Sequence, residues 1–319
     1  MSAVAPGGVK RVVRPDRGRR RRKGPGNNAL IGYHKLTPYL FSAPAIVMVA
    51  ALLAYPVLWG AYQSFFRAPT FGAPAVFVGV QNYVEMFRAP LFLDSLKKTA
   101  TFVSGSIILG TTLGLLFAFA LNRVVKRLRF LRAATIAPYI ISNVAAAVMF
   151  RLLFNTEFGT VNSVLRFFGV DNIAWLGTPA LAMGVVILAQ VWTDLPLTIL
   201  LLLAGLQTID SSYLDAALVD GATGWRRAWH LSLPLIAPQI AISVIWMSYS
   251  TLTGLGVVLS LTGGGPLRAT NTLPMEMYTV AFDALKFNEA LAIATFLLVL
   301  NAVVTLTFIG ISRRFDLGN

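Results

Sequence analysis

The chain has 319 residues, of which 56% are hydrophobic and only 13% charged, with a mean hydropathy of +0.69. A soluble domain of this length carries about 25% charged residues, so the composition excludes an ordinary water-soluble globule and points to the bilayer as solvent. The absence of cysteine excludes disulfides, thiol nucleophiles and cysteine-held zinc. Two histidines, His34 and His230, do not make a histidine-rich metal site, so no catalytic residue, metal or cofactor is expected.

Charge is concentrated at the start of the chain. Residues 1–38 hold ten of the 27 Lys and Arg against one acid, Asp16, within a net charge of +14. The run Arg17-Gly18-Arg19-Arg20-Arg21-Arg22-Lys23 has no interleaved aromatics and no nucleic-acid-binding fold around it. It reads as a disordered cytoplasmic tail that touches anionic membrane lipid, with no nucleic-acid partner. A cleavable signal peptide is not expected, because the apolar stretch that begins near Tyr39 is about twice the length of a signal h-region.

A helix needs about 20 apolar residues to cross the hydrocarbon core. Six stretches qualify, at residues 39–62, 99–122, 133–154, 180–204, 236–261 and 290–312, and each is nearly free of charge. The expected fold class is therefore an all-α membrane protein with six transmembrane helices. With the N-terminus in the cytoplasm, nineteen of the 27 basic residues fall on the inside segments 1–38, 123–132, 205–235 and 313–319. An even number of spans then returns the C-terminus to the same side. The domain reading is a basic tail over 1–38, a permeating bundle over 39–314 and a short C-terminal tail over 315–319. The outer loops 63–98 and 155–179 carry aromatics and turn residues and are expected to form short helices. They either pack on the bundle or offer a docking surface.

Residues 205–238, on the inner side in this topology, are helix-like rather than loop-like. Asp210 and Ser211 can cap a helix whose apolar side holds Tyr213, Ala216, Ala217 and Val219. Gly221 can supply the turn into a second short helix from near Thr223, on which Trp225 and Trp229 share a face. Pro234 and Pro238 mark the return to the membrane. By spacing alone such an element either docks into a partner's groove or rests on lipid headgroups.

Asp215-Ala216-Ala217, Asp220-Gly221-Ala222 and Leu233-Pro234-Leu235-Ile236 resemble the EAA loop of binding-protein-dependent ABC importer permeases. Phe77 to Tyr83, Ala137-Pro138-Tyr139, Phe154 to Gly159, Leu203 to Gln207 and Leu261 to Pro266 are similar to the carbohydrate branch of that family, the maltose and glycerol-phosphate porters. The resemblance spans residues 38–314 and implies a type I importer fold in the prokaryotic inner membrane. It implies a non-catalytic subunit that pairs with a second permease subunit above two copies of an ATP-binding subunit. An extracytoplasmic solute-binding protein delivers the cargo. The loop 205–235 is then the coupling element, with Asp215, Ala216, Ala217, Asp220, Gly221, Ala222 and Arg226 facing the ATPase. The family usually has Glu at the position of Asp215.

Polar residues inside membrane helices are costly and face a cavity or another helix. On the fourth span these are Gln190, Thr193 and Asp194; on the fifth they are Tyr249, Ser250 and Thr253, with Trp246 one turn earlier. Amides, hydroxyls and aromatic faces suit sugars, and the resemblance implies that these two helices line the solute path. A phosphorylated polyol is the alternative cargo, although no cluster of basic residues lies mid-membrane. A membrane-embedded enzyme and a proton-coupled transporter with Asp194 as carrier are the readings from other classes.

Overall fold

The computed structural model describes residues 37–68, 72, 74–124 and 138–316. Most of the basic tail, residues 1–36, lies outside them, as do residues 125–137 and 317–319. The chain divides into two compact units, residues 1–56 and 57–319.

In the first unit, helix α1 (Thr37–Val49) leads into a π-turn over Ala50–Ala54. Pro56 follows, and its ring would crowd the carbonyl of Leu52 in a regular helix, so the wider turn relieves that clash. The side chains from Phe41 to Tyr55, Ser42 apart, are apolar or aromatic and largely exposed.

The second unit begins within α2 (Tyr55–Gln63) and continues with a hairpin of two-residue strands, β1 (Phe66–Arg67) and β2 (Val76–Phe77). There follow α3 (Gln81–Arg88), α4 (Pro90–Val124), α5 (Asn143–Leu153), α6 (Thr160–Phe167) and α7 (Pro179–Thr208). Next come α8 (Ser211–Val219), α9 (Gly224–Arg227), a π-turn (Ala228–Ser232) and α10 (Leu233–Leu235). The chain finishes with α11 (Ala237–Thr253), α12 (Leu255–Leu261), α13 (Leu273–Tyr278) and α14 (Phe287–Asp316).

Among the described residues, four helical stretches are long and apolar enough to span a bilayer: Phe41–Gln63, Pro90–Asn122, Pro179–Thr208 and Phe287–Gly310. A fifth arises if the bent pair Gly224–Leu235 and Ala237–Thr253, at 73°, counts as one. Two expected spans differ in form. Residues 133–137 of the third lie outside the described residues; in its described part a helical piece at 138–140 is separated by Ile141 and Ser142 from α5, which is 11 residues long, roughly 16 Å. The fifth is broken at Gly254 into α11 and α12. The second begins earlier than its apolar run, at Pro90, because Asp94, Lys97 and Lys98 extend the same helix.

Close approach of backbones fixes the bundle. On α4, a Cβ at Gly105 would lie 2.8 Å from Ile187 Cδ1, one at Gly110 2.1 Å from Met247 Cε, and one at Gly114 2.6 Å from Thr198 Cγ2. Only a bare backbone lets α7 and α11 come this near, and small residues drive helix association where both solvent and core are apolar. The ascending order of these contacts sets α4 parallel to α7. Gly205 against Gln239 and Gly110 against Met247 set α11 antiparallel to both. Apolar clusters fill the two ends: Phe102, Val186 and Val258 near one, Ala118, Leu202 and Ile236 near the other.

The expected short helices in 63–98 and 155–179 are α3 and α6. Each is held by one buried asparagine. Asn82 Nδ2 donates to the carbonyls of Ser64 and Phe66 at 2.8 Å, and its Oδ1 accepts from Arg67. Asn162 Nδ2 donates to the carbonyls of Thr156 and Ile173, while its Oδ1 accepts from Trp175 Nε1 at 2.9 Å.

Candidate functional site

The loop between α7 and α11 folds by local rules. Asp210 caps α8, its carboxylate accepting from the Ser212 N–H at 2.8 Å. Those backbone and side-chain hydrogen bonds from Ser212 hold the Asp210 carboxyl below the usual carboxylate range. The other end of α8 closes as a Schellman motif: Ala222 N–H reaches the Ala217 carbonyl at 2.8 Å and Gly221 N–H reaches that of Leu218 at 3.1 Å. This closure requires a left-handed residue, and Gly221 sits at φ +75°. Thr223 then starts α9, and Trp225 and Trp229 stack with ring centroids 5.6 Å apart.

The resulting knob is bare. Asp215, Ala216, Asp220, Gly221 and Arg226 are exposed, Ala217 and Ala222 half-buried, and Val219 is 88% exposed at the tip. Behind it, the Arg227 side chain and Ser232 border a small hollow of about 80 Å³ against Phe119, Asn122 and Leu206 at the ends of α4 and α7. All seven coupling candidates lie on this one element.

The six pathway candidates divide. Gln190, Asp194 and Ser250 meet: Gln190 Nε2 donates to Asp194 Oδ2 at 2.9 Å and to Ser250 Oγ at 3.1 Å, and Ser250 Oγ donates to Asp194 Oδ1 at 2.9 Å. Trp246 brings its indole N–H toward the same carboxylate without reaching hydrogen-bonding geometry. Gln190 and Asp194 are buried. No ion pair joins Asp194 to a basic residue among the described residues. Thr193 and Thr253 turn to their own helices, bonding the carbonyls of Gln190 and Tyr249 at 2.8 Å.

Tyr249 and Thr253 face elsewhere, into a cleft of about 780 Å³ between α11, α13 and α14, which Asn301 and Thr305 also line. The sequence reading missed Asn301, although a lone amide in the middle of an apolar span was a visible signal. It also missed the buried group where Asn271 Nδ2 bonds Ser95 Oγ at 3.0 Å and Glu276 Oε2 at 2.6 Å, with Arg268 paired to Glu276. Nothing local distinguishes those residues, which lie up to 181 positions apart along the chain.

The chain matches the family described as "Binding-protein-dependent transport system inner membrane component" over residues 110–316. It is 34% identical over 281 residues to the trehalose/maltose transport system permease protein MalF of Thermococcus litoralis, covering 86% of this chain and 94% of that one. It is equally 34% identical over 279 residues to the sn-glycerol-3-phosphate transport system permease protein UgpA of Brucella abortus, with 86% and 93% covered. A bacterial ABC transporter that imports the acidic polysaccharide alginate superposes with a TM-score of 0.74 at 24% identity, over 87% of this chain and 95% of that one. A chain from the structure of a bacterial alginate ABC transporter in complex with an alginate pentasaccharide-bound periplasmic protein superposes with a TM-score of 0.74 at 22% identity, over 87% of this chain and 94% of that one. That likeness gives the fold. By the match over residues 110–316 and the two relatives at 34% identity, this chain belongs to the binding-protein-dependent transport system inner membrane components and is a multi-pass membrane protein.

Proposed function

We propose that the chain is one of two permease subunits forming the path of an ATP-driven importer for a sugar or oligosaccharide. The observation that carries this reading is the exposed helix–glycine–helix knob Ser211–Arg227, closed by its Schellman motif and seated on the ends of α4 and α7. Two copies of a separate ATP-binding subunit grip that knob through Asp215, Ala216, Ala217, Asp220, Gly221, Ala222 and Arg226. Their closure tilts the bundle between inward- and outward-facing states. An extracytoplasmic solute-binding protein delivers the cargo to the opposite end, where the hairpin, α3 and α6 lie.

The topology that goes with this has six spans over residues 39–314, both termini in the cytoplasm, the basic tail 1–38 on anionic lipid and the loop 205–235 inside. Gln190, Thr193, Asp194, Tyr249, Ser250 and Thr253 belong to the solute path. A neutral, hydroxyl-rich cargo suits it better than a polyol phosphate, because the one charge in the buried polar cluster is a carboxylate, which repels an anion. ATP hydrolysis belongs to the partner, since no Gly-x-x-x-x-Gly-Lys-Ser/Thr loop occurs in the chain.

The test is uptake by the purified, assembled complex with its binding protein in liposomes. Gly221→Val and Asp215→Ala should leave assembly intact and lower ATP-driven uptake at least several-fold. Unchanged uptake in both variants removes the coupling role. A screen of ATPase stimulation by mono-, di- and oligosaccharides against glycerol phosphates decides the cargo class, and stimulation by a phosphate alone would reverse it.

A further inference from the structure

Most hydroxyls on α11 and α14 are used within the chain. Ser243, Ser248, Thr251 and Thr253 on α11, and Thr295 and Thr307 on α14, each donate to a carbonyl of their own helix. Ser250 donates to Asp194. The Tyr249 hydroxyl, the Asn301 amide and the Thr305 hydroxyl differ: they have no hydrogen-bond partner among the described residues. All three line the cleft of about 780 Å³ between α11, α13 and α14.

Their depth makes this costly. Asn301 stands near the middle of the apolar stretch Phe287–Gly310, where no water answers a bare amide and lipid tails offer no hydrogen bond. Another molecule has to supply the partners. A spanning helix from a neighbouring subunit fits poorly, because the cleft follows α14 only from Ala294 to Leu306, twelve residue steps, roughly 18 Å. The hydrocarbon core is about 30 Å thick. The volume is instead that of a small-ligand pocket. Thr253 and Leu255, on either side of the break at Gly254, both line it, and interrupted helices near mid-membrane are where transporters hold cargo. The lining has two characters. Leu252, Leu297 and Leu298 form an apolar wall, while Tyr249, Asn301 and Thr305 offer donors and acceptors from two facing helices. A sugar ring has the same two, an apolar C–H face and a rim of hydroxyls.

We propose that this cleft seats a sugar ring of the cargo, its hydroxyls bonded by the Asn301 amide and the Tyr249 and Thr305 hydroxyls and its C–H face laid on the leucine wall. Asn301 is then a specificity-determining residue. This rests on the importer reading and deepens it.

The experiment uses the full complex with its binding protein in liposomes, with cysteine-free partner subunits and one cysteine placed in this chain, which has none of its own. Ala302→Cys, in the cleft lining, should react with a charged methanethiosulfonate reagent, and a mixture of glucose, maltose and maltotriose should slow that reaction several-fold. Val303→Cys, exposed but outside the lining, should react slowly with or without the sugars. Asn301→Leu, added to Ala302→Cys, should abolish the protection and raise the sugar concentration that half-saturates uptake about tenfold. Asn301→Gln should restore part of both, whereas a merely structural asparagine would lower maximal uptake and leave half-saturation unchanged. No reaction at position 302, no protection by the mixture, protection equal at 302 and 303, or protection indifferent to Asn301→Leu overturns the proposal. So does cross-linking from position 302 to the partner permease, which would make the cleft a subunit interface. ATP-driven uptake is measured on the same preparation. Uptake of a sugar that leaves position 302 unprotected sinks this inference alone, whereas protection without ATP-driven uptake sinks the importer reading alone.

Discussion

Single side chains hold the non-spanning end of the bundle together. Asn162 is fully buried and satisfies two carbonyls, the Ile173 N–H and the Trp175 indole. Asn162→Ala orphans all of them and should cost about 3 kcal/mol, read as a fall in the thermal unfolding midpoint and as proteolytic cutting within 155–175. Arg67 forks onto Glu85, Nη2 to Oε2 at 2.6 Å and Nη1 to Oε1 at 3.1 Å. That hydrogen bond, aided by Gln81, holds the Glu85 carboxyl below its ordinary value of 4.5. A depressed value means the contribution is present above the unfolded-state value and is lost as pH falls through the folded one. Glu85→Gln should therefore lower the unfolding midpoint at neutral pH, and the gap from the parent should close well below pH 4.5. A gap that persists in acid would show that the fork contributes no linkage. Of these residues the sequence revealed only that polar groups stand among aromatics. Which atoms they satisfy depended on chain segments up to eighteen residues away.

At the scale of the element, two glycines do opposite work. Gly221 has open space where a Cβ would point, so its demand is conformational, at φ +75°. Gly221→Val should cost about 1–2 kcal/mol through backbone strain alone, melting the C-terminal turn of α8 and weakening coupling. Gly221→Asn, which tolerates the left-handed region better, should recover part of the uptake. Gly114 has an ordinary helical backbone and no room, with Thr198 Cγ2 2.6 Å and Leu202 Cδ1 3.2 Å from a Cβ. Gly114→Val should overpack the α4–α7 seam by about 1–3 kcal/mol, seen as a lower unfolding midpoint in detergent. The turn at Gly221 was legible from Asp210 to Thr223 because capping is decided within six residues. The seam at Gly114 was not, since a glycine in an apolar run carries no sign of which helix will lie against it. The break at Gly254 was hidden for the same reason, and the apolar run continued through it.

At the scale of the molecule, within the second unit, α4 and α7 run one way and α11 the other; the α8 knob borders the ends of α4 and α7, and the Gln190–Asp194–Ser250 cluster joins α7 to α11. Cross-linking the knob to the ATP-binding subunit through a cysteine at Val219, 88% exposed, should abolish uptake, restored by reduction, in a chain that has no other cysteine. Uptake that survives complete cross-linking would mean the knob need not move against its partner. Hydropathy by itself determined that the chain lives in a membrane, roughly where its long helices fall, and that a capped helix–glycine–helix projects between two of them. These are sums over neighbouring residues, and the bilayer enforces them by the cost of unpaired backbone groups. Only the tertiary structure decided that the fifth expected span breaks at Gly254, that Tyr249 and Thr253 face a cleft away from Asp194, and that Gln190 Oε1 has no donor. Each of those turns on which distant surface packs against a given face, and close packing is a property of pairs that no local pattern encodes.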